Sequence, residues 1–218
     1  MEVKLISWTK DPIGTVAKAA SMCYKSEPSR NTVMGCVRSG HHSVLEHANY
    51  TFEITGVSRA LLAQLTRHRH ASYSVESQRY VKYDDLDFVA PDCDSIGWVQ
   101  TVGGYTLDAY KEMIDDGWKP EDARSVLPNA TPTNLVMTMN LRSMMNFMNE
   151  RLCSRAQTEI RKMAKLMKDA VLSCPEHIEM DNKIINKILV PKCERYHIPF
   201  CPEIKSCGRH ERLEDIVK

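Results

Sequence analysis

The sequence predicts a single domain over residues 1–218 that combines strands and helices, and three observations carry that reading. Tyr50, Phe52 and Ile54 alternate with Thr51, Glu53 and Thr55, the period of two that belongs to a strand with one buried face. Helix-start signals follow strand-like runs, Asp11-Pro12 after residues 3–8 and Ser58 after 50–55, and a helical pattern likewise follows the strand-like run 134–140. A chain of 218 residues is also long enough to bury most of its apolar surface in one core without a metal or disulfide staple.

Taken in order, Val3–Trp8 reads as a short strand. Asp11 then supplies an N-cap carboxylate and Pro12 the first helical position of a helix running to about Tyr24. Asn31–Arg38 forms a second helix that Gly40 closes. His41-His42-Ser43-Val44-Leu45-Glu46-His47 sets three histidines around a glutamate, but zinc ligands on one helical face need spacings of three or four. His42, Glu46 and His47 supply these only in part, so no metal is assigned here.

After the strand at 50–55, Ser58 caps a helix whose stripe is Leu61, Leu62 and Leu65, with Gln64 on a different side. This helix delivers Arg67-His68-Arg69 at its C-terminal end, where the helix dipole favours cations. Residues 67–80 hold three arginines, two histidines, three serines and one glutamate. The lack of aliphatic packing from His68 to Ser74 predicts backbone that faces a ligand or a partner chain. Planar guanidinium forks suit phosphates or the carbonyl edge of a ring. The competing reading is a basic loop paired with acidic neighbours.

Beyond Tyr80 the chain is acidic and broken by Pro91, which predicts a connecting segment rather than core. A helix from about Ser95 to Asp116 follows, weakened at Gly103-Gly104 by about 1 kcal/mol per glycine. Pro120 starts a short helix that carries Arg124 and stops before Pro128. Asn134–Asn140 reads as a strand, and 140–151 as a helix with two faces: Arg142, Asn146 and Asn149 on one, Met144, Phe147, Met148 and Arg151 on the other. Ser154 and Gln157 form a capping-box pattern for a long helix with Ile160, Met163, Met167 and Ala170 on its apolar face, expected to support a subunit contact. From about Pro191 the tail carries Cys193, His197, Cys201, Cys207 and His210. That density suits zinc, but no Cys-x-x-Cys pair is present, and free thiols are the preferred reading.

Formal net charge is +1, from 29 basic and 28 acidic residues, which provides no global field for nucleic acid; anion binding has to be local. The N-terminus lacks a signal-peptide pattern and no stretch nears 18 apolar residues, so a cytoplasmic protein without membrane spans is expected. The eight cysteines are then expected as thiols rather than disulfides.

Arg67-His68-Arg69, seven intervening residues and Ser77, continued by Arg79-Tyr80, closely resembles the signature of the flavin-dependent thymidylate synthases, the ThyX family. Two more segments resemble the same family: His41-x-Ser43-x-x-Glu46-His47, and Asn140-x-Arg142 with Asn146 and Arg151-x-x-x-x-Ala156-Gln157. The resemblance spans roughly residues 35–165. Two departures stand out. The family commonly has Asn-Glu where this chain has Ser74-Val75, its glutamate falling one place later at Glu76, and Arg155 replaces a frequent histidine.

The resemblance implies an α/β (α+β) fold, with a mainly antiparallel twisted sheet flanked by helices, and a homotetramer whose active sites are shared between chains. It also implies reductive methylation of dUMP to dTMP, with 5,10-methylenetetrahydrofolate as carbon donor and FAD reduced by NADPH. Carried over by position, the dUMP residues are Gln64, Leu65, Thr66, Arg67, Glu76, Ser77, Gln78, Arg79, Arg124 and Arg151, with Arg151 the activating arginine. The FAD residues are Ser43, Arg67, His68, Arg69, Asn140, Leu141, Arg142 and Asn146. No cysteine lies inside a matched segment, so no thiol nucleophile is expected. Two other classes compete: a nucleic-acid-binding module using the Arg67–Arg79 stretch, which a 7% aromatic content disfavours, and a metal-dependent hydrolase built on His41, His42 and His47.

Overall fold

The computed structural model describes residues 1–90 and 96–217. The proline break at Pro91 and the helix start near Ser95 lie outside the described residues. Four strands form one sheet in the order β1-β2-β4-β3: β1 (Glu2–Trp8), β2 (Asn49–Ser58), β3 (Ser72–Val75) and β4 (Pro132–Asn140). Every pairing is antiparallel, as the family resemblance implies.

The alternation in β2 does what its period dictates. Tyr50, Phe52 and Ile54 face Met139, Met137 and Leu135 of β4 across the ladder, and all six are buried. Helices α1 (Pro12–Tyr24), α6 (Leu141–Arg151), α7 (Thr158–Leu172) and α8 (Glu179–Ile188) close the same core. The opposite face stays polar, with Thr51 and Thr138 sharing a hydroxyl hydrogen bond at 2.9 Å.

The terminal signals act as the sequence suggests. The Asp11 carboxylate accepts the Gly14 N–H at 3.0 Å, and it also pairs with Arg30, whose Nε donates to the buried Asp181 of α8 at 2.8 Å. One arginine at the start of α2 (Arg30–Arg38) thus ties three helices together. Gly40, at φ +78°, ends α2 with the paired bonds Gly40 N–H to Val37 O and His41 N–H to Cys36 O. Ser58 Oγ accepts the Leu61 N–H at 3.0 Å and caps α3 (Arg59–Leu65). Leu61 and Leu65 are fully buried, while Leu62 is only half-buried.

Three expectations need correction. Ser72–Ser74, the end of the stretch from His68 expected to face a ligand or a partner chain, lies in strand β3 paired with β4. The acidic segment after Tyr80 is not a bare connection: Tyr83 and Phe88 are buried with Leu107, Tyr110 and Ala123 in a second cluster. This cluster lies between that segment, α4 (Ile96–Asp115) and α5 (Pro120–Ala123). Gly103 is what admits it, because a Cβ there would sit 2.3 Å from the Phe88 ring. The cap of α7 is Gln157, whose Oε1 accepts the Ile160 N–H at 3.2 Å, and Ser154 lies outside the helix. In α7, Ile160, Met163 and Met167 are buried within the chain and Ala170 is half-buried.

Candidate active site

The helix α3 and strand β3 are joined by a turn that exists to present Arg67, His68 and Arg69. His68 N–H donates to Leu65 O at 3.0 Å, which folds the chain back as α3 ends. Tyr73 stands opposite Met137 in the sheet, so its ring enters the core face and its hydroxyl reaches both His68 O, at 2.8 Å, and Leu65 O, at 3.0 Å. Burial pushes the Tyr73 phenol up to about 12, which keeps it a donor to these carbonyls. Arg67 and Arg69 point outward and have no ion pair among the described residues.

The His68 ring lies edge-on to Phe147 with centroids 4.9 Å apart, and its Nε2 faces Arg151 Nε at 3.0 Å. An arginine only donates, so Nε2 accepts and the imidazole proton sits on Nδ1. Burial first, and then the Arg151 charge, hold the His68 imidazole below the usual histidine range, which keeps it in this neutral form. Arg151 ends the stripe of α6 in which Met144, Phe147 and Met148 are fully buried. Its two Nη nitrogens have no hydrogen-bond partner among the described residues. The result is a half-buried cation aimed by a neutral acceptor, with its planar donor edge left open.

Around this pair the other expected residues fall into separate groups. On α6, Asn140 Oδ1 caps the helix through the Ser143 N–H at 2.8 Å, Leu141 is fully buried, and Arg142 and Asn146 are exposed. Arg142 pairs with Glu46 of the 3-10 turn His42–His47, which also exposes Ser43. Asn149, placed beside Arg142 and Asn146 by spacing, is buried instead. Near α5, Arg79 Nε donates to Glu121 Oε2 at 2.7 Å, and Arg124 Nε donates to Glu121 O at 3.0 Å. The Arg79 guanidinium holds the Glu121 carboxyl below its usual range. Arg79 N–H also donates to Ser77 Oγ at 3.3 Å.

Glu76 is occupied within the chain: Tyr83 Oη donates to Oε1 at 2.9 Å, Asn134 Nδ2 to Oε2 at 2.7 Å, and Arg59 to its carbonyl at 2.9 Å. Gln64 Nε2 turns back to Ala60 O, at 3.4 Å, and Thr66 Oγ1 donates to Leu62 O at 3.0 Å. Gln78 is half-buried and Leu65 belongs to the core. No hydrogen bond or ion pair among the described residues links the Arg151, Arg79 and Arg142 groups to one another. His42 Nε2 is engaged with Val37 O at 3.0 Å, and the 41–47 histidines form no metal-capable cluster among the described residues.

Tyr73, Phe147 and Glu121 went unassigned by sequence reasoning. Tyr73 carried a signal, being the one aromatic between two serines in the motif. Glu121 carried none beyond its place in the first turn of a short helix.

Residues 4–175 match the family model described as thymidylate synthase complementing protein, a wider span than the motif resemblance. A flavin-dependent thymidylate synthase of Geobacter sulfurreducens is 42% identical over 183 residues, covering 75% of this chain and 79% of that one. One from Pyrococcus furiosus is 36% identical over 226 residues, covering 93% and 90%. Among solved structures, the Helicobacter pylori flavin-dependent thymidylate synthase ThyX, complexed with FAD and dUMP, is 29% identical with a TM-score of 0.66, covering 78% of this chain and 93% of that one. A second Helicobacter pylori ThyX structure with FAD and dUMP reaches a TM-score of 0.70 at 26% identity, covering 87% and 99%. With the family match spanning residues 4–175 and relatives more than 30% identical over most of its length, the chain belongs to the flavin-dependent thymidylate synthases.

Proposed function

We propose that the chain converts dUMP to dTMP by reductive methylation in the cytoplasm, with 5,10-methylenetetrahydrofolate as carbon donor, FAD as cofactor and NADPH as reductant. The observation that carries the reading is the Arg151–His68 pair, a cation held in place with its Nη donors open. Uracil C5 is not nucleophilic at rest. It becomes so when negative charge moving onto the ring oxygens is stabilised, and a preorganised guanidinium at the O2/N3 edge does this without a covalent thiol. Arg151 is the group for that role; His68 positions it and, being neutral, adds no competing charge.

The residues also fit the cofactor. Arg67 and Arg69 are exposed cations without carboxylate partners among the described residues, and Ser43 and Asn146 are exposed polar side chains, a donor set suited to a diphosphate and its nucleoside. When bound, the reduced flavin supplies the hydride that completes the methyl group. Arg79 and Arg124, brought together at Glu121, suit the dUMP phosphate, and Arg79 would exchange its exposed carboxylate for it. Gln64, Leu65, Thr66, Ser77 and Gln78 would line the nucleotide, whereas both oxygens of Glu76 are already engaged.

The separation of these groups within one chain supports a homotetramer whose sites draw residues from neighbouring subunits. A surface for it exists on α4, where Trp98, Val102 and Tyr105 form an exposed stripe at spacings of four and three. Purified protein given FAD should show a bound flavin absorption band, and with dUMP, the folate and NADPH it should form dTMP. Flavin binding without dTMP, under the same conditions, would count against the assigned reaction.

A further inference from the structure

The C-terminal tail packs against the end of α6 and encloses a cavity of about 190 Å³. Four cysteines line it, Cys153, Cys193, Cys201 and Cys207, together with His210. None is in a disulfide. The Cys193 thiol, a Glu194 oxygen and a His210 ring nitrogen lie within 4.8 Å of one another. His210 Nε2 is buried with no partner at hydrogen-bond distance, Glu194 Oε1 standing 3.8 Å away, an arrangement that costs free energy unless something occupies that lone pair or proton.

Local geometry brings these donors inward. Gly208, at φ +85°, lets the chain reverse between Cys207 and His210, and Ser206 Oγ closes the turn by donating to His210 O at 3.0 Å while accepting the Gly208 N–H at 3.1 Å. Cys201 N–H donates to Glu211 O at 2.7 Å, which holds the two arms of the tail side by side. Beyond the surface pairs of Glu203 with Arg155 and Lys192 and the stacked Tyr196 and Phe200 rings, little apolar packing secures this segment: Ile198, Ile204 and Val217 are exposed, and among the described residues no helix longer than four residues follows α8. A segment with so small an apolar core is the kind that a structural metal stabilises.

We propose that the tail binds one Zn²⁺ through Cys193 and His210, with the remaining thiolates drawn from Cys153, Cys201 and Cys207. Thiolate and imidazole together select zinc over hard cations; the ligand atoms of Cys193 and His210 already lie within 4.8 Å, and a tetrahedral site with Zn–S of about 2.3 Å needs Cys153, Cys201 or Cys207 to close in from the cavity wall. Glu194 is the weaker candidate because it pairs with Arg209. Cys153 lies two residues beyond Arg151, so the metal would fasten the tail to the loop that follows the catalytic arginine. The preference for free thiols drawn from the missing Cys-x-x-Cys pair reverses, because Cys207-x-x-His210 provides the short-spaced pair.

The test uses the full chain, expressed with zinc, dialysed against metal-free buffer and analysed for metal. About one zinc per chain is expected. It should persist in Cys23→Ser, a distant exposed cysteine on α1, and fall to background in Cys193→Ser combined with His210→Ala. On the unmutated chain, a mercurial reagent should release zinc in step with thiol modification, and a chelator should raise thiol reactivity, so the outcome does not depend on how the variant folds. Background zinc in the unmutated chain, zinc release without thiol modification, or zinc retained in the double variant overturns the proposal.

Discussion

Arg151 Nε and His68 Nε2 meet at 3.0 Å across 83 residues of sequence, and each fixes a property of the other. The guanidinium sets the imidazole tautomer, and the imidazole sets the direction in which the Nη donors point. A carboxylate in place of His68 would neutralise the charge that a developing anion needs; a neutral ring does not.

The pair has a signature in the pH dependence of stability. Burial and the Arg151 charge place the folded His68 pKa below its ordinary 6.5. Above that value the ring is neutral in both states and contributes no pH dependence. As pH falls through it, the unfolded chain takes up the proton first, so stability is lost until the lowered folded pKa is reached. His68→Gln keeps an acceptor for Arg151 and removes the titration. Urea midpoints at about pH 7 and about pH 5 should show a smaller acid loss in the variant than in the unmutated chain. Equal losses would place the low-pH sensitivity elsewhere.

Arg79 and Glu121 make a different prediction. Arg79→Ala should weaken dUMP by roughly tenfold to a hundredfold, the equivalent of one charge-assisted hydrogen bond, with little change in FAD affinity. Glu121→Gln should act in the opposite direction, tightening dUMP modestly, because it removes both a competitor for Arg79 and a negative charge near the phosphate. Titrations with the two ligands check this. Loss of FAD alone in Arg79→Ala would assign the arginine to the other site.

Adjacent glycines in α4 should diverge. Gly104 has nothing within 4 Å of where a Cβ would stand, so Gly104→Ala should stabilise by about 0.5–1 kcal/mol. Gly103→Ala drives a Cβ into the Phe88 ring and should destabilise by about 1–3 kcal/mol despite the better helix propensity. Denaturant unfolding of both variants separates local propensity from packing.

Much of the scaffold was legible in local pattern. The β2 alternation, the Asp11 and Ser58 caps, the Gly40 stop and the α6 stripe all depend on neighbours within a turn or two, and each appears as its pattern dictates. Strand β3 was not legible because its four residues are held by β4, some sixty positions away, and their hydroxyls read as ligand donors. Tyr83 and Phe88 were hidden by the acidic composition around them, and their burial depends on the space that Gly103 leaves. Helix α8 was missed although Ile184, Ile185 and Ile188 carried its signal. In the site, residue types marked the Arg67–Arg69 turn, whereas Arg151 was singled out only by the family resemblance. The contacts that orient His68, from Tyr73 and Phe147, and Arg79, from Glu121, cross between elements, and only Tyr73 left a trace in the motif.

The central claim, that Arg151 activates the uracil, is tested most directly by measuring flavin reduction by NADPH and dTMP formation separately in Arg151→Lys, on one folded sample saturated with dUMP. Lysine keeps the charge but loses the planar fork and the Nε donor that His68 holds. The account predicts dTMP formation lowered by about 10²–10³-fold, the scale of losing one preorganised donor, with flavin reduction largely retained. Near-normal dTMP formation, or both steps falling by the same factor, would contradict it.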